Sequence, residues 1–200
     1  MSSNSHPQPS VSAGLLVVIS GPSGVGKSTI CGALVDRLGA KFSVSATTRP
    51  AGPGERNGQD YLFLSQQQFE QHLNSDEFLE HAQVFGHSYG TLAQPVIEAL
   101  HSGRIVVLEI DVNGAKQIRQ RFGRAKMFLI LPPEPGTLCD RLNTRQRDAQ
   151  TIIAERLAKA DGEVRFARES GCYDYTIVND DLEDAINQIV TIINQEQEKE

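Results

Sequence analysis

The sequence predicts an α/β fold in which helices cover both faces of a parallel sheet. Two observations predict it. Several short runs rich in Val, Ile and Leu are apolar throughout, which is typical of parallel strands buried on both faces. Segments with helical periodicity alternate with these runs, and most of them end at a glycine. A chain of 200 residues with 22% charged residues is expected to form one globular domain with insertions.

The predicted core elements follow one another in a regular order. Strands are predicted at residues 15–20, 42–44, 104–110, 126–131 and 175–178. Helices are predicted at residues 28–38, 95–102, 113–122, 151–170 and 182–195. These elements define a domain over residues 14–195, with a disordered arm before it (residues 1–13) and a polar tail after it (residues 196–200).

Two segments interrupt this alternation. Residues 45–92 predict an inserted unit of short antiparallel strands, which divides the core into residues 14–44 and 93–195. Within that unit, Ser65 and Gln68 are spaced as a capping box for a short helix that ends near Leu73. Residues 141–150 are densely charged, and we expect a mobile lid over about residues 141–156.

Composition and charge argue against several classes of function. The net charge of −6 argues against a general nucleic-acid-binding protein. Cys31, Cys139 and Cys172 are far apart, so we expect buried thiols in a reducing compartment rather than disulfides or a metal site. No apolar run approaches the length of a membrane span, and residues 1–13 lack the apolar stretch of a secretory signal. We therefore expect a cytoplasmic protein with no membrane partner.

A phosphate-binding pattern, G-x-x-x-x-G-K-[ST], follows the first predicted strand. The matching residues are Gly21, Pro22, Ser23, Gly24, Val25, Gly26, Lys27 and Ser28, and Thr29 comes next. In such a loop, backbone N–H groups and the N-terminus of the next helix surround phosphate oxygens. Lys27 is predicted to reach the outer phosphates of a nucleotide, ATP or GTP, and the Ser28 hydroxyl to ligate Mg²⁺. The alternative is a glycine-rich turn that binds nothing.

Together with this loop, three further strings resemble the guanylate kinase family over roughly residues 14–195. They are Ser45-Ala46-Thr47-Thr48-Arg49 with Tyr61, Phe78-Leu79-Glu80-His81-Ala82 with Tyr89-Gly90-Thr91, and Ile177-Val178-Asn179-Asp180-Asp181. The resemblance implies a three-layer P-loop NTPase core with a parallel sheet, an inserted small β-rich GMP-binding unit and a mobile lid. It also implies that ATP, with Mg²⁺, phosphorylates GMP to GDP, with dGMP as a further acceptor.

The resemblance assigns recognition of the guanine base to the inserted unit. Guanine presents two adjacent donors, N1–H and the N2 amino group, and a carboxylate can accept from both. Glu80 matches the family's carboxylate for this contact, and the hydroxyls of Ser45 and Thr91 are expected to donate to guanine O6. The alternatives are that Glu80 is a solvated strand residue and that the two hydroxyls only stabilise turns.

The same unit is expected to hold the acceptor phosphate. Arg49, Tyr61 and Tyr89 match family positions that contact it, and an arginine fork fits phosphate oxygens well. The alternatives are that Tyr61 and Tyr89 are core aromatics and that Arg49 is a surface charge. The family's second arginine is replaced here by Gly52, and we hypothesise that Arg56 takes its place.

The lid and two strand ends supply the remaining candidates. Arg141, Arg145 and Arg156 match family arginines that, with Lys27, would neutralise charge in the transition state, although a solvated basic run is the alternative. The resemblance places Glu109 and Asp111 at the GMP site and Asn179 as support for the lid. Asp111 could instead orient Mg²⁺-bound water or cap the next helix, and Asn179 could contact the nucleotide or be a turn residue.

Two other functions remain open from the sequence. One is a relative with the same fold that phosphorylates a ribose bisphosphate, which has no base edge for Glu80 to bind. The other is a catalytically inactive module that binds phosphopeptides, although such modules typically lose the ATP loop. The expected partners are ATP and GMP, not nucleic acid, and the chain could be a homodimer or a higher oligomer.

Overall fold

The computed structural model describes residues 14–84, 86–134 and 162–199. The strands are β1 Leu16–Ser20, β2 Lys41–Phe42, β3 Ala46–Thr47, β4 Leu62–Phe63, β5 Phe78–Val84, β6 His87–Leu92, β7 Val106–Ile110, β8 Lys126–Leu131 and β9 Tyr175–Val178. The helices are α1 Lys27–Leu38, α2 Gln66–Asn74, α3 Ala93–His101, α4 Val112–Arg121, α5 over residues 162–170 and α6 Leu182–Gln197.

The core is a five-stranded sheet with the order β2-β7-β1-β8-β9, and every neighbouring pair is parallel. Its side chains alternate between two apolar clusters. Val17 and Ile19 of β1 pack on the face covered by α1 and α6. Leu16 and Val18 pack on the opposite face with residues of α3 and α4. The predicted three-layer α/β fold is therefore confirmed, and β1 at its centre leads directly into the phosphate loop.

A second sheet lies within residues 46–92 and has the order β4-β3-β6-β5. The antiparallel arrangement expected for this unit is correct for β3 with β6 and for β5 with β6. It is wrong for β3 and β4, which are parallel. The reason is the connection, because residues 48–61 cross over between the two strands, and a parallel pair cannot be joined by a tight hairpin.

The strands at the two edges of the core sheet differ most from the expected buried runs. The strand predicted at residues 42–44 is Lys41–Phe42, and Phe42 is only half-buried. At the opposite edge, Val178 of β9 is 50% exposed. An edge strand has a neighbour on one side only, so an apolar run there does not guarantee burial.

Several other expectations from the sequence agree with the structure. The capping box of α2 is present, because the Ser65 Oγ accepts from the Gln68 backbone N–H at 3.2 Å and the Gln68 Oε1 accepts from the Ser65 N–H at 2.9 Å. Cys31 and Cys172 are buried free thiols, as expected, whereas Cys139 lies outside the described residues. Within the described ranges, no helix has the length and apolar character needed to cross a membrane.

Candidate functional site

A cavity of about 770 Å³ lies where the carboxyl ends of β1 and β7 face the second sheet. Ligands of open α/β sheets bind at this edge. The wall combines residues of the phosphate loop with residues of the inserted unit. The sequence-predicted residues that line it are Gly21, Ser23, Lys27, Ser28, Ser45, Tyr61, Glu80, Tyr89, Glu109 and Asp111.

Two positions of the phosphate loop require glycine, because neighbouring atoms lie too close for a side chain. Gly21 has φ +145°, and a Cβ there would lie 2.2 Å from the carbonyl oxygen of Ile130 on β8. Gly26 has φ +99°, and a Cβ there would lie 2.7 Å from the Asn179 Nδ2. Gly26 is also the N-cap of α1, and no side chain caps that helix. The first N–H groups of α1 therefore remain available to an anion.

The Lys27 side chain folds back over the loop. Its Nζ donates to the carbonyl oxygens of Gly21 at 2.7 Å and Pro22 at 2.9 Å. An ammonium group carries three hydrogens, so one donor remains for a ligand. Burial lowers the pKa of Lys27, and the nearby carboxylate of Glu109 opposes this shift.

Glu109 contacts the phosphate loop. The Ser28 Oγ donates to the Glu109 Oε1 at 2.8 Å. The sheet register explains this contact, because Glu109 of β7 pairs with Ile19 at the end of β1. The resemblance had assigned Glu109 to the GMP site, whereas the contact found is with the predicted Mg²⁺ ligand.

Glu80 is a buried carboxylate on β5, with 5% of its surface exposed. The alternative that it is a solvated strand residue is therefore wrong. Glu80 pairs in register with Thr91 of β6, and the Thr91 Oγ1 donates to the Glu80 Oε1 at 2.7 Å. Burial raises the pKa of Glu80 to about 7, against the Thr91 hydrogen bond and with a smaller contribution from the Asp111 carboxylate.

The contact between Thr91 and Glu80 changes the expectation that the Thr91 hydroxyl donates to guanine O6. A hydroxyl has a single hydrogen, and that of Thr91 is donated to Glu80 rather than directed at a base. Thr91 is also buried and does not line the cavity, whereas Ser45 does. Thr91 therefore orients the carboxylate, and the contact of Ser45 with guanine O6 stays a prediction.

The candidate phosphate contacts Arg49, Tyr61 and Tyr89 lie together in the inserted unit. The Arg49 guanidinium lies 5.3 Å from the Tyr61 ring centroid, and the Tyr61 and Tyr89 rings are 6.0 Å apart. Arg49 donates through both Nη atoms to the two carboxylate oxygens of Glu55, each at 2.9 Å. The Glu55 pairing, with help from Tyr89, raises the pKa of Arg49 above its usual range.

Glu55 was missed by the sequence reasoning. Its Oε2 also accepts from the Gly52 backbone N–H at 2.6 Å, so one carboxylate closes the loop that carries Arg49. The only sequence signal is an acidic residue in the Gly- and Pro-containing stretch after Arg49. Arg56 is exposed, and its backbone N–H donates to Asp60 at 2.7 Å. The idea that Arg56 compensates for Gly52 stays a prediction.

Two polar residues at strand ends have structural partners. Asp111 is the N-cap of α4 and accepts from the Gly114 N–H at 2.8 Å, which confirms the capping alternative, and it also lines the cavity. The buried Asn179 donates from Nδ2 to the Val25 carbonyl at 2.8 Å. This hydrogen bond supports the phosphate loop, and a role of Asn179 in supporting the lid stays a prediction. Arg141, Arg145 and Arg156 lie outside the described residues.

The contact between Asn179 and the loop predicts a measurable effect on ATP. Asn179→Ala removes the donor to Val25, and a buried polar group that loses its partner costs about 1–3 kcal/mol. We expect a lower melting temperature and a higher KM for ATP, measured by thermal denaturation and steady-state kinetics. Asn187→Ala is a matched control, because the Asn187 amide accepts from Arg37 on the exposed surface of α6. Equal effects of the two substitutions would contradict this role.

Comparisons with known proteins agree with this geometry. The family model described as Guanylate kinase matches residues 14–196. A guanylate kinase of Synechocystis sp. is 44% identical over 92% of this chain and 95% of its own length. One from Carboxydothermus hydrogenoformans is also 44% identical, over 93% of this chain and 90% of its own.

A solved structure extends the similarity to three dimensions. The crystal structure of guanylate kinase from Anaplasma phagocytophilum has a TM-score of 0.73 and 30% identity, and the match covers 93% of this chain and 87% of that one. The sequence motifs, the cavity that joins them and these relatives agree. The chain belongs to the guanylate kinase family.

Proposed function

We propose that this protein transfers the γ-phosphoryl group of ATP to GMP, forming ADP and GDP, and that dGMP is a further acceptor. The observation that carries the proposal is the composition of one cavity wall. Lys27 of the phosphate loop and the buried carboxylate of Glu80 line the same cavity. This lining supports a phosphate-donor site and a site for a purine base with two adjacent N–H donors within one cavity.

On the donor side, the loop binds phosphates mainly through charge and backbone N–H groups. The N-terminus of α1 and the remaining Lys27 hydrogen both favour negative charge at the same place. Phosphoryl transfer needs positioning and charge neutralisation rather than a covalent intermediate. The loop and Lys27 are suited to both tasks.

On the acceptor side, the arrangement favours guanine over adenine. An ionised Glu80 can accept from guanine N1–H and N2–H, whereas adenine would present an acceptor to the carboxylate. Arg49, Tyr61 and Tyr89 lie together in the same inserted unit and would hold the monophosphate. Specificity of this kind rests on leaving buried polar groups without partners when the wrong base binds.

The side chains at the loop fit a magnesium ion bound with ATP. Mg²⁺ prefers oxygen ligands and is usually held by one or two protein groups together with phosphates. The Ser28 hydroxyl and the Glu109 carboxylate, 2.8 Å apart, are oxygen donors beside the loop. Such an ion would supply positive charge that offsets the negative charge of the phosphates. Ser28 would ligate it, and Glu109 would accept from Ser28 or from a metal-bound water.

The proposal also covers the lid, the GMP-binding unit, the cellular location and the partners. We propose that Arg141, Arg145 and Arg156 belong to a lid over about residues 141–156 that excludes water during transfer. We also propose residues 45–92 as the GMP-binding unit. The two buried free thiols, Cys31 and Cys172, support a reducing, cytoplasmic location. The proposed partners are ATP and GMP, without nucleic acid or membrane.

A coupled assay of ADP release tests the proposed function. The protein is given ATP and Mg²⁺ with GMP, dGMP, AMP, UMP or a ribose bisphosphate as acceptor. We expect rapid turnover with GMP, turnover with dGMP, and kcat/KM for AMP lower by about two orders of magnitude or more. Turnover with the ribose bisphosphate alone would replace the proposal with a sugar phosphate kinase. No turnover with any acceptor would favour a binding module.

A further inference from the structure

The first turn of α4 lies directly against the Glu80 carboxylate. A Cβ built on Gly114 would lie 2.4 Å from the Glu80 Oε2, 3.0 Å from its Cδ and 3.4 Å from its Cγ. These three atoms are the nearest neighbours of that position, and all belong to Glu80. The carboxylate therefore occupies the space that any other residue at position 114 would fill.

Backbone conformation does not require glycine at this position. Gly114 is a helical residue outside the left-handed region, so L-residues can adopt its conformation. Its N–H donates to the Asp111 Oδ1, a contact that any residue except proline could make. Within a helix, glycine is less stable than alanine by about 1 kcal/mol. The space taken by Glu80 is the physical reason for glycine that the structure provides.

Glu80 is thus fixed from two sides. On one side the Thr91 Oγ1 donates to Oε1 at 2.7 Å, and on the other the bare backbone of Gly114 faces Oε2. Only a carboxylate held in one orientation can accept from two adjacent donors of a base at once. A displacement of Oε2 by about a few tenths of an ångström to one ångström would weaken one of the two hydrogen bonds that the carboxylate would accept from the base.

We propose that Gly114 is a specificity-determining position, which selects guanine by leaving room for Glu80 to present both carboxylate oxygens to the base. Gly114 is a positioning residue, because it acts through Glu80. The inference rests on the proposed function and deepens it. IMP keeps N1–H but lacks the N2 amino group, so it is the comparison substrate that needs only one of the two carboxylate contacts.

The test is the preference for GMP over IMP in Gly114→Ala. We expect kcat/KM for GMP to fall at least 10-fold and the ratio of kcat/KM for GMP to that for IMP to fall at least 5-fold. The KM for ATP should remain within 2-fold of wild type, since Gly114 lies on α4 and does not line the cavity. Gly123→Ala is the matched control, because it follows the other end of α4 and a Cβ there meets nothing within 4 Å.

A second variant keeps the proposal testable if Gly114→Ala folds poorly. Glu80→Asp shortens the side chain by one methylene, so Gly114→Ala with Glu80→Asp should fold and bind ATP normally. Recovery of folding in this double variant would support the overlap with Glu80, and its failure to fold would overturn it. An unchanged GMP to IMP ratio in folded Gly114→Ala would also overturn the proposal. If the wild-type protein itself does not phosphorylate GMP, the proposed function fails, and the inference fails with it.

Discussion

Replacing Glu80 by Gln is expected to raise the KM for GMP by about two orders of magnitude and to abolish the preference for GMP over AMP. In the proposed complex the carboxylate would accept from two guanine donors, and each charge-assisted hydrogen bond is worth about 1.5–3 kcal/mol. An amide offers one acceptor and one donor, which is the pattern that matches the adenine edge. Steady-state kinetics with both acceptors measures the change, and a preserved GMP preference would show that another group binds the base.

The same substitution should stabilise the protein in the absence of nucleotide. Burial raises the pKa of Glu80 to about 7, so the folded state holds this proton more tightly than the unfolded chain. As pH rises from about 4.5 through 7, the wild-type protein therefore loses up to about 3 kcal/mol of stability at this residue. Glu80→Gln carries no such penalty. Its melting temperature should exceed that of wild type at pH 8, and the difference should shrink towards pH 5.

The raised pKa of Glu80 also links GMP binding to pH. Only the ionised carboxylate can accept from both guanine donors, so the affinity for GMP should increase as pH rises from 6 to 8. The acceptor phosphate titrates in part of this range, and Glu80→Gln separates the two contributions. Titration calorimetry should give a steeper pH dependence for wild type than for Glu80→Gln, and identical slopes would contradict the assignment.

Lys27→Ala is expected to lower kcat by about 10²–10³-fold, since removing one preorganised donor from a site of developing charge has effects of this size. The Lys27 Nζ donates to the carbonyls of Gly21 and Pro22, which hold it beside the loop. Near-normal kcat in Lys27→Ala would remove Lys27 from the transition state. Lys41→Ala is the control, because Lys41 lies on the edge strand β2, does not line the cavity, and its Nζ donates to the Pro95 carbonyl at 3.4 Å.

The sequence predicted the elements whose signals are local. The run of apolar residues in β1, the glycines of the loop and the capping box at Ser65 each depend on nearby residues, and each was found where expected. The parallel pairing of β3 with β4 was missed because it depends on the path of residues 48–61, which no local pattern specifies.

In the candidate site, too, residues could be named from the sequence, whereas their contacts with distant residues could not. A resemblance named Glu80, Arg49 and Glu109, but their partners depend on contacts across the fold. Glu109 lies beside Ser28 because β7 pairs with β1. The pairing of Arg49 with Glu55 depends on how one loop closes. No periodicity or motif in a single sequence encodes such contacts.

The most direct test of the account is phosphorus NMR of a reaction that contains the protein, ATP, Mg²⁺ and GMP. The account predicts that the GMP resonance disappears as the two coupled resonances of GDP appear, with ADP formed in equal amount. Glu80→Gln should slow this transfer strongly at low GMP. Release of inorganic phosphate with the GMP resonance unchanged would show that the two halves of the cavity do not act on a common phosphoryl group, and it would contradict the central claim.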